Sequence, residues 1–176
     1  MPNFPNNVFG IVGWKDSGKT TLVEALVYEL SRRGFIVSTV KHAHHAFDID
    51  TPGKDSYRHR EAGAHEVLVV SRQRWALMHE LRETAEPTLS DLLTQLAPCD
   101  LVLVEGYKRD EHPKIEVIRS LGPDGRIADT DPTIRAVATQ DAALAGTHKR
   151  LALDDVAAIA DFVCDQCRLT VPSGRG

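Results

Sequence analysis

The chain has 176 residues, 42% of them hydrophobic and 26% charged, enough apolar material for one ordinary core. A formal net charge of −4 excludes a general nucleic-acid binder, and no apolar run approaches the ~20 residues that span a bilayer. Three cysteines without framework spacing, and an N-terminus (MPNFPNNVFG) with no basic region leading into an apolar stretch, predict a cytoplasmic protein without a signal peptide.

Val8 to Val12 is a continuous apolar run, the pattern of a buried parallel strand. Next comes GWKDSGKTT, residues 13 to 21, with the spacing Gly-x-x-x-x-Gly-Lys-Thr, and then a helical pattern. A strand, such a loop and a helix in that order form a phosphate-binding P-loop. Gly13 and Gly18 let the backbone wrap an anion with its N–H groups turned inward. The helix start adds further donors and a positive dipole end. Lys19 bridges terminal phosphates, and the Thr20 hydroxyl is a Mg²⁺ ligand. Lys15, Asp16, Ser17 and Thr21 belong to the same loop and count among the nucleotide-binding residues.

Thr20 to Arg33 carries Leu22, Val23, Leu26, Val27 and Leu30 at helical spacing, and Gly34 caps it. Phe35 to Val40 reads as a second strand, parallel to the first because a helix joins them. Residues 41 to 52 read as a polar loop, Asp55 to Ala62 as a helix, and Glu66 to Val70 and Arg74 to Leu81 as strands. A helix follows over Pro87 to Leu96, then strands at Leu101 to Val104 and Ile115 to Arg119 and a turn over 122 to 125. A strand ends at Ala136 to Ala138, and Asp154 to Cys167 closes the chain as a helix with Val156, Ile159, Ala160 and Val163 inward. No repeat or linker divides this α/β pattern, so residues 1–168 are expected to form a single nucleotide-binding domain, with a disordered tail at 169–176.

A second nucleotide signal is Asp100 to Gly106, an apolar strand ending in an acid, the form of a Walker B strand. Ligands of parallel α/β sheets gather at the carboxyl ends of strands, so Glu105 is expected opposite the P-loop. The usual residue there is Asp; Glu105 either supports the metal or activates water. The segment KHAHHAFDIDTPGKDSYRHREAGA, residues 41 to 64, is too rich in His, Asp, Lys and Arg for a plain connector. Lys41, Lys54 and Arg58 are candidate phosphate binders for the nucleotide or a second ligand, and Asp48 and Asp50 are candidate Mg²⁺ neighbours. Asp141, after the strand ending at Ala138, is placed to accept hydrogen bonds from a guanine edge, although the context is not the common NKxD form.

GWKDSGKTTL, the 41–64 segment, SRQRWALM, and DLVLVEGYK followed by PKIEVIR together resemble the MobB family of molybdopterin-guanine dinucleotide biosynthesis adapters, from about residue 8 to 168. The resemblance implies a three-layer P-loop GTPase fold, with a mainly parallel sheet flanked by helices and a short β extension. It implies GTP and Mg²⁺ as cofactors, weak hydrolysis and a homodimer. It also implies partnership with MobA, the guanylyltransferase that joins GMP to molybdopterin. Gly13, Ser17, Gly18, Lys19, Thr20 and Thr21 match the family's phosphate and Mg²⁺ motif; Lys41, His42, His45, Asp48, Asp50, Gly53, Lys54, Asp55, Ser56 and Arg58 match its second motif. Some relatives in this class use a second lysine five positions before the P-loop lysine; Lys15 lies four before Lys19, so it is not given that role.

A P-loop small-molecule kinase is the alternative, but Arg58, Arg60, Arg72, Arg74 and Arg109 are scattered and form no lid insertion. A guanylyltransferase carries no P-loop lysine and is set aside. His42, His44 and His45 lack a partner cluster for zinc, and Cys164 with Cys167 lacks a second pair, so a solvated loop and a packed helix are the expected readings. Trp75 and Met78 are expected in the core or at a dimer contact.

Overall fold

A computed structural model describes residues 4–43, 47–122 and 124–170; of the disordered tail expected at 169–176, all but residues 169 and 170 lies outside the described residues, as do His44 and His45. The chain forms two compact units, one holding residues up to His42 and from Leu89 onward, the other Ala43–Thr88.

The first unit begins with β1 (Val8–Val12), α1 (Lys19–Arg32) and β2 (Val37–Lys41). The second contributes α2 (Asp55–Glu61), β3 (Glu66–Val70) and β4 (Trp75–His79). The first then resumes with α3 (Leu89–Leu93), β5 (Leu101–Glu105), β6 (Lys114–Val117), β7 (Ile134–Ala138), β8 (Arg150–Leu151) and α4 (Val156–Cys167). Its six strands form one parallel sheet in the order β2-β5-β1-β6-β7-β8. β1 and β2 are parallel, as a helical crossover requires, but β5 lies between them and pairs with both.

Alternation along the strands divides the core between the two faces of the sheet. Phe9, Ile11, Leu101, Leu103, Ile115 and Val117 pack against Leu22, Leu26 and Leu30 of α1 and Ile159 and Val163 of α4. On the other face Val8, Val102 and Val104 pack with Leu89 of α3, and Val12 packs with Val137 and Ile118. Gly10 is in the middle of β1, where a Cβ would lie 2.5 Å from Nε2 of His112 and 2.7 Å from Cγ of Lys114. The missing side chain is the space those two residues fill.

β6 is buried throughout although it carries two charges. The Lys114 ammonium donates to the Asp110 carbonyl, to Asp131 at 3.2 Å and to the Thr133 hydroxyl. The Glu116 carboxylate accepts from the backbone N–H groups of Ile127 and Ala128 at 2.9 and 2.8 Å. Both charges are therefore matched, the condition for burying them. The helix expected over Pro87 to Leu96 is shorter, because after Leu93 the chain tightens into Thr94, Gln95 and Leu96 turns bonded back three residues.

Within the second unit β3 and β4 form an antiparallel hairpin, the short β extension of the expected fold. Val67 and Met78 are buried on one of its faces. The Arg60 guanidinium from α2 grips both oxygens of Asp48 at 2.8 and 2.9 Å and lies 3.1 Å from Glu80. Asp50 accepts from Thr51 N–H and the Ser56 hydroxyl at 2.9 and 2.8 Å. The other hairpin face pairs Leu68 with Leu77 and Val70 with Trp75, all exposed, Trp75 by 67%.

Candidate functional site

The loop between β1 and α1 has the backbone that its glycines predict. Gly13 (φ 151°) and Gly18 (φ 96°) are left-handed, and Cβ atoms there would strike Val117 O at 2.5 Å and Arg119 Nε at 2.9 Å. Asp16, at φ 61°, completes the turn. The loop closes on itself through the Lys19 ammonium, which donates to the Trp14 carbonyl at 2.6 Å. Ser17 is buried, and its hydroxyl has no hydrogen-bond partner among the described residues. A buried unpaired hydroxyl is costly unless a ligand satisfies it. The first N–H groups of α1 add donors without helical partners, and Gly18, as N-cap, offers no side chain to cover them.

Glu105 ends β5 beside this loop, and its register aligns it with Ile11 of β1 and Lys41 of β2. Its carboxylate accepts a 2.8 Å hydrogen bond from the Thr20 hydroxyl and pairs with Lys41 at 3.2 Å. Strand alignment brings together residues far apart in sequence: a P-loop hydroxyl, an acid and a second-motif lysine. The Lys19 ammonium is held below the usual lysine range, first by burial, then by nearby Lys108, with Glu105 and Asp16 opposing. His42 continues from β2; its N–H donates to the Glu105 carbonyl at 3.0 Å and its ring lies 5.0 Å from that of Tyr107.

On the other side of the loop a cavity of about 520 Å³ runs along Gly18, Thr21 and Ala25 of α1 to Arg119, Gln140 and Asp141 beyond β6 and β7. Asp141 lines it while one carboxylate oxygen accepts from Ala143 N–H at 2.9 Å, capping a short 3-10 turn. Lys15 is exposed in the loop. Lys54 and Arg58, at the N-cap and in the body of α2, belong to the second unit, as do Asp48 and Asp50, whose carboxylates engage the partners given above. Arg58 is highly exposed, 4.0 Å from Asp55. Among the described residues no group of three or more His, Cys, Asp or Glu side chains is arranged to hold a metal ion.

The sequence reading missed Arg119 and Lys108. Each ended a stretch already singled out, PKIEVIR and VEGYK, but only the strand order brings them to the loop.

Fold and site together define an α/β protein with a mostly parallel six-stranded sheet and a Gly-x-x-x-x-Gly-Lys-Thr loop joining its first strand to its first helix. A family model described as "Molybdopterin guanine dinucleotide synthesis protein B" matches residues 8–140. This chain belongs to that family, MobB. It is 40% identical over 162 residues to the molybdopterin-guanine dinucleotide biosynthesis adapter protein of Escherichia coli (strain K12), covering 90% of this chain and 91% of that protein. It is also 40% identical over 166 residues to the protein of the same name from Haemophilus influenzae, covering 91% and 90%. Among solved structures, a MobB homolog from Bacillus stearothermophilus superposes with a TM-score of 0.67 at 30% identity, covering 93% of this chain and 99% of that one. Bacillus subtilis MobB gives 0.71 at 26% identity, covering 97% and 100%.

Proposed function

We propose that this chain is a cytoplasmic GTP-binding adapter with slow, Mg²⁺-dependent GTPase activity. It assists a MobA-type guanylyltransferase in attaching GMP to molybdopterin. The observation that carries the nucleotide part is the convergence of Lys19, Thr20 and Glu105 on a loop with an unsatisfied buried hydroxyl at Ser17. The adapter part is supported by relatives of that name at 40% identity over nine tenths of the chain.

In this reading Gly13, Ser17, Gly18, Lys19 and Thr21 hold the phosphates, with Lys15 and Asp16 flanking them. The cavity at Asp141 takes the base. Thr20 and Glu105 hold Mg²⁺, which neutralises phosphate charge. Slow hydrolysis is in keeping with the contacts of Glu105, one of whose oxygens already accepts from Thr20 and pairs with Lys41. Lys41 and His42 are the candidate contacts for a phosphate of molybdopterin in the first unit; within the second unit, Lys54 and Arg58 are candidate phosphate contacts of their own.

The test combines the purified chain, the transferase, molybdopterin, Mg²⁺ and GTP. Expected is a several-fold stimulation of dinucleotide formation with only slow phosphate release, lost in Lys19→Ala. That substitution removes a charge-assisted contact of about 1.5–3 kcal/mol and weakens GTP binding tenfold or more. Stoichiometric transfer of the γ-phosphate to a small acceptor would instead establish a kinase.

A further inference from the structure

We propose that Lys108 is a second P-loop lysine, supplied by the turn after β5, which leaves Trp14 to grip the terminal phosphate and so distinguishes nucleoside triphosphate from diphosphate. The inference rests on the nucleotide-binding reading above.

Three observations converge on Lys108. Its ammonium lies 4.0 Å from the ring centroid of Trp14, the second residue of the phosphate loop. The same Trp14 receives the Lys19 ammonium on its carbonyl at 2.6 Å, so both lysines are attached to one residue. The backbone that delivers Lys108 is unusual: Gly106 at φ 96° is followed by Tyr107 at φ 50°. A left-handed tyrosine is uncommon, and such conformations persist where the surroundings fix them. Here the Tyr107 ring meets that of His42 at 5.0 Å.

Charge points the same way. Lys41 pairs with Glu105 at 3.2 Å, and Lys41, Lys108 and Glu105 all lie within electrostatic reach of Lys19. An excess of positive charge beside a half-buried loop suits a polyanion. Topology then selects the phosphate. The cavity at Arg119 and Asp141 lies beyond β6 and β7, and Lys108 follows β5, which flanks β1 on the opposite side. A nucleotide with its base in that cavity and its phosphates over Gly18 and Lys19 runs toward Lys108 with its last phosphate. A cation on an aromatic face is weakly held and free to exchange that face for an anion.

The test measures GTP and GDP affinities of the full chain by calorimetry, for wild type and K108Q. Tryptophan emission is followed in W75F, which keeps Trp14 as its one tryptophan. Expected is a tenfold or greater loss of GTP affinity in K108Q with GDP affinity unchanged, and retention of the GTP preference in K108R. GTP, but not GDP, should change Trp14 emission in W75F, a reading that does not depend on K108Q folding. An unchanged ratio of GTP to GDP affinity in K108Q, or identical emission changes with both nucleotides, overturns the role of Lys108 and leaves the nucleotide site standing. Failure of the wild type to bind either nucleotide removes both.

Discussion

Glu105 carries the largest consequence per residue. It is buried at the end of β5, where its carboxylate accepts from the Thr20 hydroxyl and pairs with the Lys41 ammonium. Replacing it with Gln preserves size and one accepting oxygen but removes the charge that holds Lys41. Glu105→Gln is expected to keep GTP affinity within about threefold, or 0.7 kcal/mol, while slowing hydrolysis. Single-turnover phosphate release beside a GTP titration checks this. A large loss of affinity would show that its place beside Mg²⁺ requires the negative charge and not merely an accepting oxygen. The presence of an acid here was legible from the apolar run that precedes it. Its pairing with Lys41 was not, because that depends on β2 and β5 being neighbours in register, and no local pattern encodes strand order.

At the scale of an element, β6 and its leading segment join function to stability. His112 is 1% exposed, with both ring nitrogens unpaired among the described residues. Burial, helped by Lys114 and opposed by Asp131, holds its imidazole down at about 4. The unfolded chain protonates this group near 6.5, so between these values it binds more protons than the fold does. Stability from this residue is therefore complete above about pH 6.5 and declines as pH falls toward 4, by up to roughly 3 kcal/mol. Urea unfolding at pH 7 and pH 4.5 should show this slope in wild type and a weaker one in His112→Phe. An equal slope in both would assign the acid sensitivity to other groups. The sequence reading placed a strand at Ile115 to Arg119, and the structure starts and ends it slightly earlier, at Lys114–Val117. Nothing in the alternation shows that Lys114 and Glu116 point into protein, because their partners, Asp131, Thr133 and the backbone at Ile127, come from a later loop. The two-residue strand β8 was missed because it is too short to carry a period.

At the scale of the molecule, the second unit presents the most exposed apolar surface. Leu68, Val70, Trp75 and Leu77 share one hairpin face, and monomeric proteins seldom leave such a patch in water. We assign this face to self-association, in line with the expected homodimer. Sedimentation of wild type is expected to show a dimer, and Leu68→Lys with Trp75→Lys a monomer that still binds GTP. Dimers persisting in the double variant would move the interface elsewhere. The strand, glycine loop and helix around residues 13 to 21 were legible at once because their pattern is local, nine residues leading from a strand into a helix. Trp75 was expected in the core or at a contact, and composition alone could not choose, since both faces of the hairpin are apolar. Gly10 has a consequence of a different kind. Its missing side chain is occupied by the ring of His112 and the stem of Lys114, residues encoded about a hundred codons away. The two sites are thus tied in heredity: an alanine at the first is expected to need a smaller or displaced side chain at the second.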